Sequence, residues 1–291
     1  MTRIEVIAPG ALTTVQDLGR PGWAHIGVPR SGAADRPALR LANRLVGNNE
    51  GAPGLETTLS GPRLRVDGPC VVALTGAPAD ASVGERPVPM CRAFALGPGD
   101  VLHVGTARTG LRTYVAFRGG IDVPLVLGSA ATDLLTGLGP ARLASGDMLR
   151  MGAAWGGRTS GTPALQPPPL PELPRLPHLR TVVGPRDDWF TANSMKQLTT
   201  EPFAVNHASN RIGLRLDGPR LDRAHPGEPL SEGLVPGAIQ VPADGQPILL
   251  LADHPTTGGY PVIAVVVTDD QPIVAQLRPG QQLRFSLVPP R

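Results

Sequence analysis

Lysine is almost absent from this chain of 291 residues, since Lys196 is the single one. A P-loop places a lysine on nucleotide phosphates within GxxxxGK[ST], and no such segment exists here. The amidase-signature mechanism needs a Ser-Ser-Lys arrangement, and Lys196 has no matching context. The scarcity of lysine therefore excludes a Walker A nucleotide site and an amidase-signature active site within this sequence.

Cysteine and long apolar runs are scarce as well. Cys70 and Cys91 are the two cysteines, and neither stands in a basic loop that would stabilise a thiolate. No run approaches the ~18 consecutive apolar residues of a transmembrane helix. The opening MTRIEVIAPGALTTV lacks the apolar stretch and cleavage site of a signal peptide. We therefore expect reduced thiols, a cytoplasmic location and no membrane partner.

Metal and nucleophile motifs are also missing. The six histidines fall into no HxH or HExxH pattern, no CxxC pair occurs, and there is no GxSxG elbow. The net charge of +3 is spread over the chain, without a basic run interleaved with aromatics. We therefore expect no metal site, no serine or cysteine hydrolase acting alone, and no nucleic-acid partner.

The residues that are plentiful predict a mainly β fold with a few short helices. The chain has 36 glycines and 34 prolines, a composition that favours many short strands joined by tight turns. Strand patterns fall at 63–66, 71–75, 101–105, 112–117, 148–151, 180–184, 203–206, 213–216, 248–252, 262–268 and 282–287. Helices are predicted at 35–48, where Asp35 marks the start and Gly47-Asn48 the stop, and at 187–199.

A proline tract divides the chain. Residues 162–177 carry seven prolines in sixteen positions, which predicts a semi-rigid linker between domains 1–161 and 178–291. The pattern L-x-x-G-[DQ]-x-L-[HR] occurs at 96–103, 143–150 and 277–284, on both sides of the tract. This repetition favours two related β-barrel-like units. A surface loop within one large sandwich is the alternative.

Two glycine-rich segments of the first half carry polar residues that no core requires. The segment 13–22 holds Gln16, Asp17 and Arg20. A structural salt bridge between Asp17 and Arg20 is the alternative to a binding role. The segment 28–35 holds Ser31 and Asp35 before a predicted helix, where free N–H groups suit an anion. Ordinary capping by Ser31 or Asp35 explains it equally well.

A third cluster lies in the second half and combines carboxylates, amides and hydroxyls that suit a small polar amide, carboxylate or urea-like ligand. Its members are Glu232, Gln240, Asp244, Gln246, Asp253, Thr257 and Tyr260. Asp244-Gly245 between apolar runs is also a hairpin signal, which needs no function. Asn210 and Arg211 stand beside a glycine turn, where the guanidinium could form a carboxylate fork.

Together these segments resemble the carboxyltransferase subdomain A/B family, also called the allophanate hydrolase subunit 2 family. The blocks run in order along nearly the whole chain and read TTVQDLGRPGW, GVPRSGAADRPALRLANRLVGN, LETTLSGP, AFRGGIDVPLVLGS, SNRIGLRLDGP, LSEGLVPGAIQVPADGQPILLLADHPTTGGYP and LRPGQ. The resemblance implies two cyclophilin-like β-barrel domains.

The same resemblance implies one component of a larger enzyme. One branch is the C subunit of ATP-dependent 5-oxoprolinase, which works with a homologue of the B subunit and with a lactam-opening A subunit. ATP then acts at the level of the complex. A second branch is the biotin-dependent carboxyltransferase half of urea carboxylase, and a third is an antagonist of a small histidine-kinase inhibitor. The residues leave these branches open.

Two positions depart from the family pattern. S-D-R-M-G is common where this chain has Ser209-Asn210-Arg211-Ile212-Gly213, so an amide replaces a carboxylate. Many members carry a basic residue after GGYP, whereas Val262 stands here. If that basic residue handles carboxyl or phosphoryl groups, carboxyl transfer is less expected of this chain.

Overall fold

The computed structural model describes residues 2–152 and 173–289. Their contacts divide into two compact units. Residues 2–20, Ser31–Asp133 and 137–152 form the first, whereas Pro21–Arg30, Leu134–Thr136 and 173–289 form the second. Most of the linker predicted at 162–177 lies outside the described residues, so the domain boundaries stay a prediction. No helix in the described ranges combines the length and apolar character that crossing a bilayer requires.

Antiparallel strands and one helix build the first unit. They are β1 Arg3–Ala8, β2 Leu12–Gln16, α1 Arg36–Val46, β3 Gly54–Thr58, β4 Arg63–Val66, β5 Cys70–Gly76, β6 Ala79–Val83, β7 Arg86–Pro87, β8 Ala93–Leu96, β9 Val101–Ala107, β10 Arg112–Phe117, β11 Ile121–Asp122 and β12 Met148–Met151. The strands form a seven-stranded sheet, β11-β12-β1-β4-β9-β6-β7, and a five-stranded sheet, β2-β3-β10-β5-β8.

Both sheets contribute to one apolar core, which places them face to face. Strands β5 and β10 are buried on both sides: Val72 and Val115 point into that core, whereas Ala73 and Tyr114 pack against α1. The alternation follows from the two-residue period of a strand. Helix α1 thus covers the outer face of the five-stranded sheet, and the residues at its start contact Glu56 of β3 and Tyr114 of β10.

The second unit contains a closed barrel, β13-β20-β17-β18-β15-β14-β21, and a separate pair, β16-β19. Its elements are β13 His178–Val183, α2 Ala192–Thr200, β14 Phe203–Val205, β15 Gly213–Asp217, β16 Glu232–Gly233, β17 Ala238–Gln240, β18 Ile248–Leu250, β19 Thr257–Gly258, β20 Val262–Val266, α3 Gln271–Ala275 and β21 Gln282–Leu287. The barrel closes through the parallel pairing of β13 with β21. The prediction of a mainly β chain with few short helices is confirmed.

The repeated sequence pattern L-x-x-G-[DQ] forms the same turn at all three positions. Gly99, Gly146 and Gly280 have φ between 81° and 90°, which glycine adopts without steric cost. In each turn the next side chain accepts a backbone N–H from three residues earlier: Asp100 from Gly97, Asp147 from Ala144, and the Gln281 amide from Arg278. A strand follows each turn, namely β9, β12 and β21, which confirms the strand that the pattern predicted.

The helix predicted at 35–48 is confirmed as α1, and the one predicted at 187–199 begins later than expected. Asp187–Trp189 is a single 3-10 turn that ends at extended Phe190, and α2 starts after Thr191. The Thr191 hydroxyl accepts the Ser194 N–H and caps the helix. The acidic pair before it therefore belongs to the preceding turn and not to the helix start.

Candidate functional site

Gln16 and Thr132 form the centre of a buried polar cluster in the first unit. Gln16 ends β2 with its side chain fully buried, and its Nε2 donates to the Thr132 carbonyl at 2.9 Å and to the Thr14 hydroxyl at 3.1 Å. The Ser31 hydroxyl donates to the same Thr132 carbonyl at 3.2 Å. Two predicted candidates, Gln16 and Ser31, thus meet at a residue that the sequence patterns did not single out.

Arg20 lies in the same cluster with a side chain only 1% exposed. Its Nη2 donates to the Ala131 carbonyl, one peptide before Thr132, and its Nε lies 3.4 Å from the Val126 carbonyl. The Nη1 of Arg20, Oε1 of Gln16 and Oγ1 of Thr132 have no hydrogen-bond partner in the described part of the chain. Buried polar atoms without partners are uncommon, so three together distinguish this cluster.

Asp17 supports the segment that carries this cluster. Its Oδ1 accepts from the Gly19 N–H and the Ser129 hydroxyl, and its Oδ2 from the Ala130 N–H, each at 2.7 Å. No ion pair between Asp17 and Arg20 occurs within residues 2–152, so the salt bridge considered above is wrong. Asp17 fixes the backbone at 129–130 and thereby positions the carbonyl that Arg20 contacts.

The segment before α1 is capped and not an open anion site. The Asp35 carboxylate accepts the Ala38 N–H at 3.0 Å as the N-cap, whereas the Glu56 carboxylate accepts the Ala34 N–H at 2.9 Å. The Tyr114 hydroxyl accepts the Asp35 N–H at 2.8 Å and donates to Glu56 at 2.7 Å. Burial, with the Glu56 charge, raises the pKa of Tyr114 well above its usual value. Ordinary capping by Asp35 is therefore confirmed.

Gly32 explains how two predicted segments come together. Its φ is +90°, and a Cβ at this position would lie 2.6 Å from the Gly19 nitrogen. The backbones at 18–19 and 32 therefore pack without any side chain between them, and the Ala33 N–H donates to the Asp17 carbonyl at 2.9 Å. This close approach is what places Ser31 beside Gln16.

In the second unit, Arg211 and Asp253 form a buried bidentate ion pair. The Arg211 Nε lies 2.9 Å from one carboxylate oxygen and Nη2 lies 3.0 Å from the other, with side chains 1% and 0% exposed. The fork geometry matches the expected carboxylate recognition, but the carboxylate belongs to the chain itself. Asn210 caps the same turn, because its Oδ1 accepts the Ile212 N–H at 2.8 Å.

Gln240, at the end of β17, contacts Tyr260 in the segment that joins β19 to β20. The Gln240 Nε2 donates to the Tyr260 carbonyl at 3.1 Å, and a Cβ on Gly258 would lie 2.9 Å from that nitrogen. The Tyr260 side chain is 43% exposed, and Thr257 is exposed on β19. Strand β19 and the segment after it thus present a hydroxyl and a phenol to solvent, while Gln240 anchors the backbone at Tyr260.

The remaining candidates of the second unit have local structural partners. Glu232 pairs with Arg186, whose pKa is raised by that carboxylate. Asp244 accepts the Gln246 N–H at 3.0 Å in the turn that joins β17 to β18, which confirms the predicted hairpin. Gln246 exchanges hydrogen bonds with the Gly218 backbone at 3.2 and 3.4 Å. Asp244 and Gln246 are thus turn residues.

Both cysteines are buried, and burial determines the protonation state of their thiols. Burial raises the pKa of Cys70 to about 11, with a smaller contribution from Asp100, and burial also raises the pKa of Cys91. Both thiols are free and remain protonated at neutral pH. No group of three potential ligands of the His, Cys, Asp or Glu type comes together among the described residues.

Known proteins resemble this chain in both sequence and fold. Residues 26–287 match the family described as carboxyltransferase domain, subdomain A and B. The C subunit of 5-oxoprolinase from Escherichia coli strain K12 is 38% identical over 97% of this chain and 90% of its own length. Urea amidolyase of Lachancea kluyveri is 36% identical over 97% of the chain, which spans only 17% of that protein. The crystal structure of the K. lactis urea amidolyase superposes with a TM-score of 0.91 at 32% identity, over 99% of this chain and 19% of that one.

Proposed function

This chain belongs to the carboxyltransferase domain, subdomain A and B family, and on that premise we propose that it acts as the C subunit of an ATP-dependent 5-oxoprolinase. The observation that carries the proposal is the 38% identity to a 5-oxoprolinase C subunit over 90% of that relative's length. Relatives in this family are parts of hydrolase and carboxylase systems, which supports a role within an enzyme complex.

In this role the chain acts with a homologue of the B subunit and with a lactam-opening A subunit. The complex converts 5-oxoproline, ATP and two water molecules to glutamate, ADP and phosphate. One water opens the lactam C–N bond, and the other is consumed in the hydrolysis of ATP. The missing Walker A motif and the protonated thiols support a chain that depends on partners for nucleotide binding and for a nucleophile. We propose that its ligand-binding groups act at the contact with the B subunit, and no metal enters the proposal.

Purified components test the proposal. A mixture of this chain with its A-type and B-type partners is expected to hydrolyse ATP only when 5-oxoproline is present, and omission of this chain is expected to abolish the activity. Loss of the requirement for this chain, or absence of 5-oxoproline-dependent ATP turnover in the complete and folded mixture, would contradict the proposal.

A biotin-dependent carboxyltransferase is the second candidate, favoured by the match to urea amidolyase. In that role the chain would move a carboxyl group from carboxybiotin to urea or a similar amide. The test adds a biotin carboxylase, a biotinylated carrier, bicarbonate and urea, and measures urea-dependent ATP turnover. Val262 argues against this candidate, because its side chain packs into an apolar cluster with Leu234, Ala238 and Leu250.

A further inference from the structure

Three buried polar side chains in the first unit point to a ligand. The Gln16, Arg20 and Thr132 side chains are 0%, 1% and 3% exposed, and each keeps one atom without a hydrogen-bond partner in the described ranges. Arg20 Nη1 is a donor, Gln16 Oε1 an acceptor, and the Thr132 hydroxyl both. Leaving such atoms unpaired away from bulk water is costly, so a bound group that completes them is favoured.

The geometry of the cluster is fixed by its backbone contacts. Gln16 Nε2 donates to the Thr132 carbonyl, and Arg20 Nη2 donates to the carbonyl of the preceding residue, Ala131. A carbonyl oxygen can only accept, so the amide of Gln16 has one orientation and its Oε1 is the free end. The Gln16 amide and the Arg20 guanidinium are therefore anchored to the carbonyls of two consecutive residues, Thr132 and Ala131.

Charge selects the kind of ligand. Arg20 carries a buried guanidinium, and no ion pair to it occurs in the described part of the chain. Burying a charge without a partner is unfavourable, so the site favours an anionic oxygen over a neutral one. Arg211, the comparably buried arginine of the second unit, already has the Asp253 carboxylate. Arg20 is thus a buried guanidinium that can bind a carboxylate ligand.

The turn beside the cluster reaches the surface. Val126 pairs with Ser129 across a tight turn, where Leu127 and Gly128 have φ of 53° and 80°. A leucine at positive φ is strained, and Ser31, whose hydroxyl contacts the Thr132 carbonyl, also has a φ of 53°. Leu127 is 36% exposed, while the Val126 carbonyl faces Arg20. The turn that contacts Arg20 thus carries an exposed side chain at its tip.

We propose that Gln16, Arg20 and Thr132 bind a small amide that carries a carboxylate. The ligand N–H donates to Gln16 Oε1, and the carboxylate accepts from Arg20 Nη1 and the Thr132 hydroxyl. This inference deepens the proposed function and rests on it for naming 5-oxoproline as the probe, since that lactam has an N–H and a carboxylate on adjacent atoms. Urea lacks the carboxylate and fits the site less well.

Calorimetric titration of the full chain with three probes tests the assignment. 5-Oxoproline carries both groups, 2-pyrrolidinone lacks the carboxylate, and 5-oxotetrahydrofuran-2-carboxylate lacks the N–H. We expect 5-oxoproline to bind at least about tenfold more tightly than either partial probe, because each lost hydrogen bond to a buried partner weakens binding by about that factor. Equal affinities, or no binding of 5-oxoproline to the chain alone and with its B-type partner, would mean that buried water completes these atoms, and would overturn the assignment.

Two matched variants locate the site. Thr132→Val removes a hydroxyl that has no protein partner among the described residues and is expected to weaken 5-oxoproline binding about tenfold. Thr113→Val removes an equally buried hydroxyl, one that donates to the Ala77 carbonyl at 2.7 Å, and should leave binding unchanged. Equal effects of the two variants would contradict the assignment.

The binding assay also separates this inference from the proposed function. If 5-oxoproline binds through Thr132 but the complete mixture shows no turnover, the proposed function fails and the assignment of the site stands. If the mixture is active and Thr132→Val keeps the wild-type KM for 5-oxoproline, the assignment fails and the proposed function stands.

Discussion

One chemical change at two threonines should have opposite effects on stability. Thr132 and Thr113 are 3% and 2% exposed, and both lie in the first unit. The Thr113 hydroxyl donates to the Ala77 carbonyl at 2.7 Å, whereas the Thr132 hydroxyl has no partner among the described residues. Replacing each by valine keeps the shape of the side chain and removes the hydroxyl, so the two variants differ in what the hydroxyl was bonded to.

The expected magnitudes follow from these partners. Thr113→Val breaks a buried hydrogen bond and leaves the Ala77 carbonyl unpaired, which costs about 1–3 kcal/mol of the free energy of unfolding. Thr132→Val removes a buried hydroxyl that gains nothing from the fold, so stability without ligand stays the same or rises by about 1 kcal/mol. The two variants should therefore differ by roughly 1–4 kcal/mol, in a fixed order.

Urea unfolding of the ligand-free proteins measures the difference through the transition midpoint at constant slope. Because the chain has two units, hydrogen exchange of the β10 amides serves as the reading specific to the first unit. Saturating 5-oxoproline should then stabilise the wild type and Thr113→Val more than Thr132→Val. An equal loss of stability in both ligand-free variants would show that the Thr132 hydroxyl is already bonded, and would refute the reasoning.

Three further outcomes are expected. Asp17→Ala removes the acceptor of three hydrogen bonds and should cost about 3 kcal/mol in urea unfolding, with Asp17→Asn as the milder control. Asp253→Ala leaves the Arg211 charge buried and should cost about 3–5 kcal/mol by the same assay, a loss that a surface control such as Asp80→Ala should not show. Burial raises the pKa of Cys70 from 9.0 to about 11 in the folded chain. The contribution of the protonated thiol to the free energy of unfolding is therefore full below pH 9 and is lost as the pH rises from 9 to about 11. A flat urea midpoint over that pH range would contradict the last expectation.

The sequence predicted the elements that depend on local chemistry. The turns at Gly99, Gly146 and Gly280 combine a positive φ with a side-chain acceptor at the next residue. The glycine and the acceptor both lie within one stretch of five residues, so a local sequence pattern is enough to predict the turn. Helix α1 has its N-cap Asp35 and its C-terminal Gly47 inside the same short window. Such features need no distant partner, which is why their bounds agree with the structure to within one or two residues.

Other contacts join residues that are far apart along the chain, and the sequence patterns did not predict them. Thr132 lies 116 residues from Gln16, and no local pattern marks it. The family-like block that ends at Gly128-Ser129 points to this region, but it stops before Thr132. The salt bridge between Asp17 and Arg20, considered as the alternative to a binding role, is wrong for the same reason, because the partners of Asp17 at Ser129 and Ala130 lie 112 and 113 residues away. Proximity in sequence is a poor guide to pairing when a distant segment offers better donors.

The two departures from the family pattern, Asn210 and Val262, differ in their consequences for function. Asn210 uses its Oδ1 to accept the Ile212 and Gly213 N–H groups at 2.8 and 3.4 Å, and an aspartate would accept the same bonds. The exchange of carboxylate for amide thus leaves the turn that carries Arg211 intact. Val262 is different, since its side chain is 6% exposed in an apolar cluster and a basic side chain there would bury a charge. A cation for carboxyl transfer is therefore absent from this position, whereas the buried guanidinium of Arg20 suits a substrate that brings its own carboxylate. Both observations favour 5-oxoproline over urea.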